Sequence, residues 1–169
     1  FREKAREIEK VEYYVQRIDT FPNGFASRDE GFALVENNEN DKFYGFSCYG
    51  KSNDSKKEFL YVKGKAIEFD KSEKNYESQL LMPNISLIGS PGAKMINENI
   101  FHLDSIFKNV TLIEKENTYL LKYTFEPESL FDTKDSEKIV ELRKTDFFPI
   151  KVTYRAKKLG RNYFTQQIL

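Results

Sequence analysis

The sequence predicts an α+β fold, in which a strongly curved antiparallel sheet of about ten strands forms a half-closed β-barrel. An N-terminal helix precedes the sheet, and a short central helical or loop insertion lies on its concave face. Three observations predict this fold. The 169 residues include 15 Phe and 10 Tyr, which suit a pleated, half-buried surface. Short apolar segments alternate with turn clusters, and one apolar, proline-broken stretch interrupts that alternation. The length is that of a single domain over residues 1–169.

The first element is predicted as a helix over residues 2–11. This segment is rich in charge, and Ala5, Ile8 and Val11 recur at three-residue spacing, which places them on one side of a helix. The composition then changes to β-branched and aromatic residues, and a strand is predicted from residue 12 to Phe21. A turn at residues 22–24, Pro-Asn-Gly, closes that strand.

The next part of the chain is predicted as a meander of antiparallel hairpins. Its turns are polar clusters at residues 37–41, 51–57 and 70–74, and a tight Lys-Gly-Lys turn at residues 63–65. The predicted strands between them cover residues 31–35, 43–49, 59–62 and 66–69, and a further strand begins at Tyr76.

Residues 80–107 break this rhythm. Pro83, Gly89, Pro91 and Gly92 exclude a long regular element at the start of the segment, and residues 93–101 are compatible with a short helix. The segment holds both methionines and is the least polar stretch of the chain. Because an apolar, loop-rich insertion has to lie against another surface, it is predicted to fill the concave side of the sheet.

The last third of the chain is predicted to supply five more strands, at residues 110–113, 119–125, 139–143, 150–154 and 163–168. Alternation is readable in two of them: Tyr119, Leu121, Tyr123 and Phe125 share one face, and Ile150, Val152 and Tyr154 alternate with polar residues. Such alternation indicates that one face of the sheet is covered. A sheet of this length has to curl in order to cover it.

Composition argues against several functional classes. The 27 Lys and Arg residues are balanced by 27 Asp and Glu residues, so the cationic surplus typical of nucleic-acid binding is missing. No apolar run approaches the roughly 18 residues of a membrane helix, and the chain is not expected to be transmembrane. The chain starts at Phe1, which favours a mature or trimmed product, so a missing signal segment says little about export.

Candidate catalytic residues are few. Cys48 and His102 are the only cysteine and histidine, and a dyad would require them to meet in space. Cys48 alternates with Tyr44 and Phe46 on one face of a predicted strand, which is typical of a small core residue. One Cys and one His cannot build a structural zinc site, and residues 37–41 lack the spacing of a calcium loop. No enzyme activity, metal or other cofactor is predicted.

The order of elements resembles that of a known family. The hairpin at residues 61–74 is similar to one found in bacterial lipoprotein carriers, and a Pro-containing helical stretch follows it there too. Residues 139–152, with Phe148-Pro149 at the turn, and the closing segment from Leu159-Gly160 to Tyr163-Phe164 continue the likeness. The chain thus resembles the LolA/LolB-like superfamily. It is also similar to the extension that precedes thioredoxin-like domains in some envelope proteins.

The resemblance implies an unclosed β-barrel in the bacterial cell envelope, either periplasmic or attached to the outer membrane. It implies a binding module that holds a lipid, a lipoprotein acyl chain or another apolar small molecule. The alternative is a structural or interaction module of a larger envelope protein, with a fused domain or another protein as its partner. The residues predicted to line an apolar site are Tyr44, Phe46, Phe59, Tyr61, Met82, Leu87, Met95, Phe101 and Tyr123.

Overall fold

A computed structural model describes residues 7–80, 93–96, 107–129 and 132–169. These residues form eleven antiparallel strands in one hydrogen-bonded order, β6-β5-β4-β3-β2-β1-β11-β10-β9-β8-β7. Among the described strands, β6 and β7 are the two ends of this order, so the order does not close on itself. The strands are β1 (Lys10–Thr20), β2 (Ala26–Asn37), β3 (Phe46–Ser52), β4 (Lys57–Val62), β5 (Lys65–Asp70), β6 (Asn75–Leu80), β7 (Asn109–Glu114), β8 (Thr118–Thr124), β9 (Lys134–Arg143), β10 (Pro149–Lys158) and β11 (Arg161–Ile168).

The predicted N-terminal helix is wrong where the structure describes it. Residues 7–9 are not helical and β1 begins at Lys10, while residues 2–6 lie outside the described part. The reason is visible in the burial of β1, where Tyr13, Val15, Arg17 and Asp19 are buried and the residues between them are not. A two-residue period sustained over the whole strand outweighs a three-residue spacing that rests on three apolar residues.

The predicted strands are confirmed as strands, but several of them begin or end at other residues than predicted. The strand predicted at residues 31–35 extends over the whole of β2, and the strand predicted at 139–143 begins at Lys134. The strand predicted at 43–49 begins only at Phe46, because residues 42–44 form a turn. In the central insertion, the described residues hold a single 3-10 helix at Ala93–Met95. None of the helical segments in the described residues has the length and apolar character needed to cross a bilayer.

Contacts divide the chain into two compact units. Of the described residues, the first unit comprises 17–28, 107–129 and 132–169, and the second comprises 7–16, 29–80 and 93–96. Strands β1 and β2 therefore contribute residues to both units. That residues 1–169 form a single domain stays a prediction.

The core of the first unit lies on one face of β8, β9 and β10. Tyr123, Val140, Leu142 and Val152 are buried together, and the partly buried side chains of Tyr119, Leu121, Phe125 and Leu169 pack against them. The face-sharing predicted for the alternate residues of β8 is confirmed by this packing. Toward β11 and β1 the buried residues become polar, and Thr165 Oγ1 donates a 2.7 Å hydrogen bond to Asp19.

Candidate functional site

The buried face of the second unit is built from alternate residues of adjacent strands. On β2 and β3, Ala33 lies opposite Gly50, and Val35 lies opposite Cys48. Since directly opposed residues of antiparallel strands share a face, this face continues to Phe59 on β4, which lies opposite Gly50. All five residues are buried.

Small residues lie side by side near the centre of this face. Gly31 is opposite Ser52, and Ala33 is opposite Gly50, so four positions on two strands carry little or no side chain. Ala33 is 0% exposed and Ser52 is 1% exposed, which means that this depression is covered. We name it the small-residue groove, composed of Gly31, Ala33, Gly50 and Ser52.

Met95 lies in the small-residue groove. The 3-10 helix that carries it packs against β3 and β4, and Met95 is itself 0% exposed. The approach is close: a Cβ atom added to Gly31 would lie 2.6 Å from Met95 Cγ and 2.7 Å from its Sδ. The backbone oxygen of Lys51 on β3 would lie closer still, so the neighbouring strand and Met95 together leave room only for glycine at position 31. An unbranched thioether chain is the natural side chain closest in shape to a short alkyl chain.

Aromatic rings border this region toward the β4–β5 turn. The ring centroids of Tyr44 and Tyr61 are 5.2 Å apart and nearly perpendicular, and those of Phe46 and Tyr61 are 6.0 Å apart. Tyr44 and Phe46 also approach each other at 5.8 Å. Edge-to-face packing of this kind adds stability beyond the burial of area and holds each ring in a fixed orientation.

A buried carboxylate anchors the aromatic cluster. Tyr61 donates a hydrogen bond from its hydroxyl to Asp41 at 2.9 Å, and accepts one from the N–H of Gly64 at 3.2 Å. Asp41 also accepts from the backbone N–H groups of Phe43, Tyr44 and Gly45, at 3.0, 2.7 and 3.3 Å. This capping explains why residues 42–44 turn and why β3 starts at Phe46.

The two partners of this hydrogen bond have opposite pKa shifts. Burial raises the pKa of the Asp41 carboxyl, but hydrogen bonds from the Tyr44 N–H and the Tyr61 hydroxyl outweigh it, so this pKa lies below its ordinary 3.8. Burial, followed by the hydrogen bond to Asp41, raises the pKa of Tyr61 above its ordinary value. Asp41 is therefore ionised and Tyr61 protonated at neutral pH, and the pair acts as a fixed structural contact rather than as an acid–base couple.

The structure brings together five of the residues predicted to line an apolar site. Phe46, Phe59, Tyr61 and Met95 are buried in the second unit, and Tyr44 contacts two of them. Tyr123 belongs to the core of the first unit. Met82, Leu87 and Phe101 lie outside the described residues. That these residues contact a ligand stays a prediction.

Sequence reasoning missed the small-residue groove and Asp41. Gly31, Ala33 and Val35 do alternate along β2, so their shared face could have been found from the two-residue period. Small residues, however, give a weak hydrophobic signal. The sequence predicts only a polar turn cluster at residues 37–41, and nothing in its local pattern distinguishes a buried turn carboxylate from an exposed one.

Cys48 lies on the buried face of β3, where its side chain is 3% exposed. A thiol has to reach solvent or substrate to act as a nucleophile, and this one lies opposite Val35 and Tyr61 inside the second unit. His102 lies outside the described residues. The burial of Cys48 agrees with its interpretation as a small core residue.

A concavity of about 60 Å³ lies in the outer hairpins of the same unit, and it is polar. Its walls carry several carboxylates, and Lys57 Nζ makes a 2.6 Å ion pair with Glu68 there. Such a surface does not suit an apolar ligand. The lining residues are Lys57, Glu68, Asp70, Glu73, Asn75, Tyr76 and Glu77.

No family model matches the sequence, and no curated protein matches it either. Among solved structures, the chain is similar to a Vibrio parahaemolyticus domain described as an outer membrane lipoprotein-sorting protein, with 11% identity and a TM-score of 0.44, over 98% of this chain and 86% of that chain.

Two further solved structures are similar. One is a DUF1329 family protein from Desulfovibrio piger, with 9% identity and a TM-score of 0.45, over 99% of this chain and 86% of that chain. The other is a LolA superfamily protein from Nitrosomonas europaea, with 11% identity and a TM-score of 0.40, over 98% of this chain and 88% of that chain.

Proposed function

We propose that this chain is a non-catalytic binding module of the bacterial cell envelope that holds a linear apolar ligand, such as a lipid acyl chain, in the small-residue groove. The observation that carries the proposal is the position of Met95. An unbranched apolar chain already occupies a depression in which Gly31 has no side chain, and the aromatic residues of β3 and β4 lie on the same face. When the 3-10 helix moves away, an acyl chain can take the same place.

The chemistry of the groove suits an alkyl chain better than a polar ligand. Its depth comes from missing side chains, and Phe59 and Cys48 next to it are apolar. Burial of each methylene group contributes roughly 0.8 kcal/mol, so a chain of several carbons is enough to compete with the Met95 side chain.

Titration of delipidated protein with a fluorescent fatty acid tests the proposal. The wild type is expected to bind with micromolar affinity. Met95→Ala removes the internal occupant, and we expect its Kd to fall by about 15- to 60-fold, since two or three buried methylene equivalents, about 1.6–2.4 kcal/mol, no longer compete. Leu142→Ala, a comparable truncation in the core of the first unit, serves as the matched control and should leave Kd unchanged.

A second candidate function is a structural or protein-interaction module without a ligand. The observation that favours it is the burial of the predicted lining, since Phe46, Phe59, Tyr61 and Met95 are each at most 5% exposed. In that case the same residues simply complete the core of the second unit. A flat titration for both the wild type and Met95→Ala, across several lipid classes, would support this second function and remove the first.

A further inference from the structure

Two hairpin turns lie next to each other at one end of the first unit. The turn between β1 and β2 spans residues 21–25, and the turn between β10 and β11 spans residues 158–161. Because β1 and β11 are neighbours in the sheet, Phe21 and Tyr163 meet with ring centroids 6.1 Å apart. We name these two turns together the tip surface.

Each turn of the tip surface exposes a large apolar side chain. Phe25 is 60% exposed, although its ring stays within 5.9 Å of Phe21, and Leu159 is 67% exposed. The first turn is well formed, since Gly24 N–H donates to the Phe21 carbonyl at 2.9 Å and Phe25 N–H donates to the Asn23 side chain at 3.0 Å. Phe25 is therefore held at the tip by a defined backbone.

The backbone of Leu159 makes its exposure informative. Leu159 and Gly160 have φ angles of 51° and 73°, which is the left-handed pair of a two-residue hairpin turn that Asn, Asp and Gly prefer. The β4–β5 hairpin has the same geometry with a polar residue in first position, Lys63 at 49° and Gly64 at 76°. Leucine at position 159 is thus unfavourable for the turn and unfavourable in water, which points to a function outside the fold.

The charged residues of the two turn segments themselves are all basic, and carboxylates flank them: Asp29 follows Arg28 in the chain, and Glu137 lies opposite Arg155 on β9. Residues 20–28 and 155–163 include Arg28, Arg155, Lys157, Lys158 and Arg161 and no acidic residue. Lys158 Nζ lies 4.1 Å from the centroid of the Tyr163 ring, and Lys157 pairs with Asp135 at 2.8 Å. Exposed apolar side chains surrounded by cations are typical of proteins that lie on anionic membrane surfaces.

We propose that the tip surface docks on an anionic lipid bilayer. Phe25 and Leu159 enter the boundary between headgroups and acyl chains, and Lys158 and Arg161 face the lipid phosphates. A second copy of this chain does not complement the surface, because like charges would then be opposed. The proposal does not depend on the small-residue groove, which lies in the second unit.

Vesicle flotation tests the proposal. The wild type is expected to float with vesicles of phosphatidylglycerol and phosphatidylcholine, and to bind about tenfold more weakly to pure phosphatidylcholine or at high salt. The double variant Phe25→Ser/Leu159→Asn should lose at least about tenfold in partitioning, since both apolar anchors are removed. Saturation of the protein with fatty acid should leave vesicle binding unchanged.

Two controls keep the test decisive. Leu159→Asn places a preferred residue in the turn, so its Tm is expected to equal or exceed that of the wild type; a lower Tm would show that Leu159 serves folding and would count against the proposal. Leu112→Thr changes a side chain that is 61% exposed on β7 and should bind vesicles like the wild type. Equal vesicle partitioning of the double variant and the wild type would overturn the proposal. So would a double variant that changes only the self-association of the protein and not its vesicle binding.

Discussion

At the scale of single residues, Asp41 shows what sequence patterns leave out. Its neighbours in the sequence are polar, and yet its carboxylate is 7% exposed and accepts hydrogen bonds from three backbone N–H groups and from Tyr61. The aromatic members of the candidate site were predictable, because large apolar side chains alternate visibly along a strand. Three of its partners are local, but the Tyr61 hydroxyl that lies over it comes from a strand twenty residues away and leaves no local signal.

Replacement of Asp41 by Asn should reduce stability near neutral pH. The charge is lost, and hydrogen bonds to a charged acceptor exceed those to a neutral one by about 1–2 kcal/mol, which is the expected loss in the free energy of unfolding. The folded pKa of Asp41 lies below its ordinary 3.8, so its contribution is complete above that pH and disappears as the pH falls through the folded pKa. The difference in the free energy of unfolding between the wild type and Asp41→Asn should therefore disappear at acidic pH.

Urea unfolding of both proteins at pH 7 and at several values below pH 4 measures this difference in the free energy of unfolding. Tyr61→Phe keeps the charge and removes one donor, so it should cost less than the removal of the charge itself. A difference between the wild type and Asp41→Asn that stays constant with pH would contradict the ionised state assigned to Asp41.

At the scale of elements, β1 is where local pattern and structure disagree most. The residues that lead into it, Ala5, Ile8 and Val11, have the spacing of a helix, and yet the strand from Lys10 to Thr20 pairs with β2 and β11. The long-range pairing is decisive, because β1 buries Arg17 and Asp19 beside β11, where Arg17 Nε donates to Asp19 at 2.8 Å and Thr165 donates at 2.7 Å. Arg17 and Asp19 are neighbours in the sequence, but Thr165 and the pairing with β11 lie outside any short sequence window.

Truncation of Asp19 tests how much the buried polar contacts between β1 and β11 contribute to stability. Asp19→Ala removes the carboxylate from a guanidinium whose side chain is 9% exposed, and the free energy of unfolding should fall by about 3 kcal/mol or more. Thr165→Val removes only one hydrogen bond and should cost about 1 kcal/mol. The apolar double variant Arg17→Met/Asp19→Leu should be more stable than Asp19→Ala, and the reverse order in urea unfolding would disprove the buried pair as the source of the effect.

At the scale of the whole molecule, turn chemistry accounts for most of the strand order. Ten pairings join the eleven described strands, and nine of them connect strands that follow each other in the sequence. Turns such as Pro22-Asn23-Gly24 and Leu159-Gly160 specify these pairings locally, and they were predictable for that reason. The tenth pairing, between β1 and β11, joins distant parts of the chain, and no turn encodes it.

The small-residue groove could not be predicted from the sequence for a related reason. Gly31 and Gly50 lie on adjacent strands but nineteen positions apart in the chain. They matter because neither has a side chain, which leaves space on this face of the sheet. Met95 was predicted as a lining residue from the apolar character of its segment. Its position above Gly31 follows only from the fold.

The central claim is that a linear apolar ligand takes the place of the Met95 side chain, and methyl NMR tests it most directly. The chain contains only two methionines, so protein labelled with carbon-13 at the methionine methyl groups gives two signals, and Met95→Leu identifies the one from Met95. Titration of delipidated protein with oleate should shift or exchange-broaden the Met95 signal until saturation. A Met95 signal that stays unchanged in position and width at saturating oleate would contradict the claim.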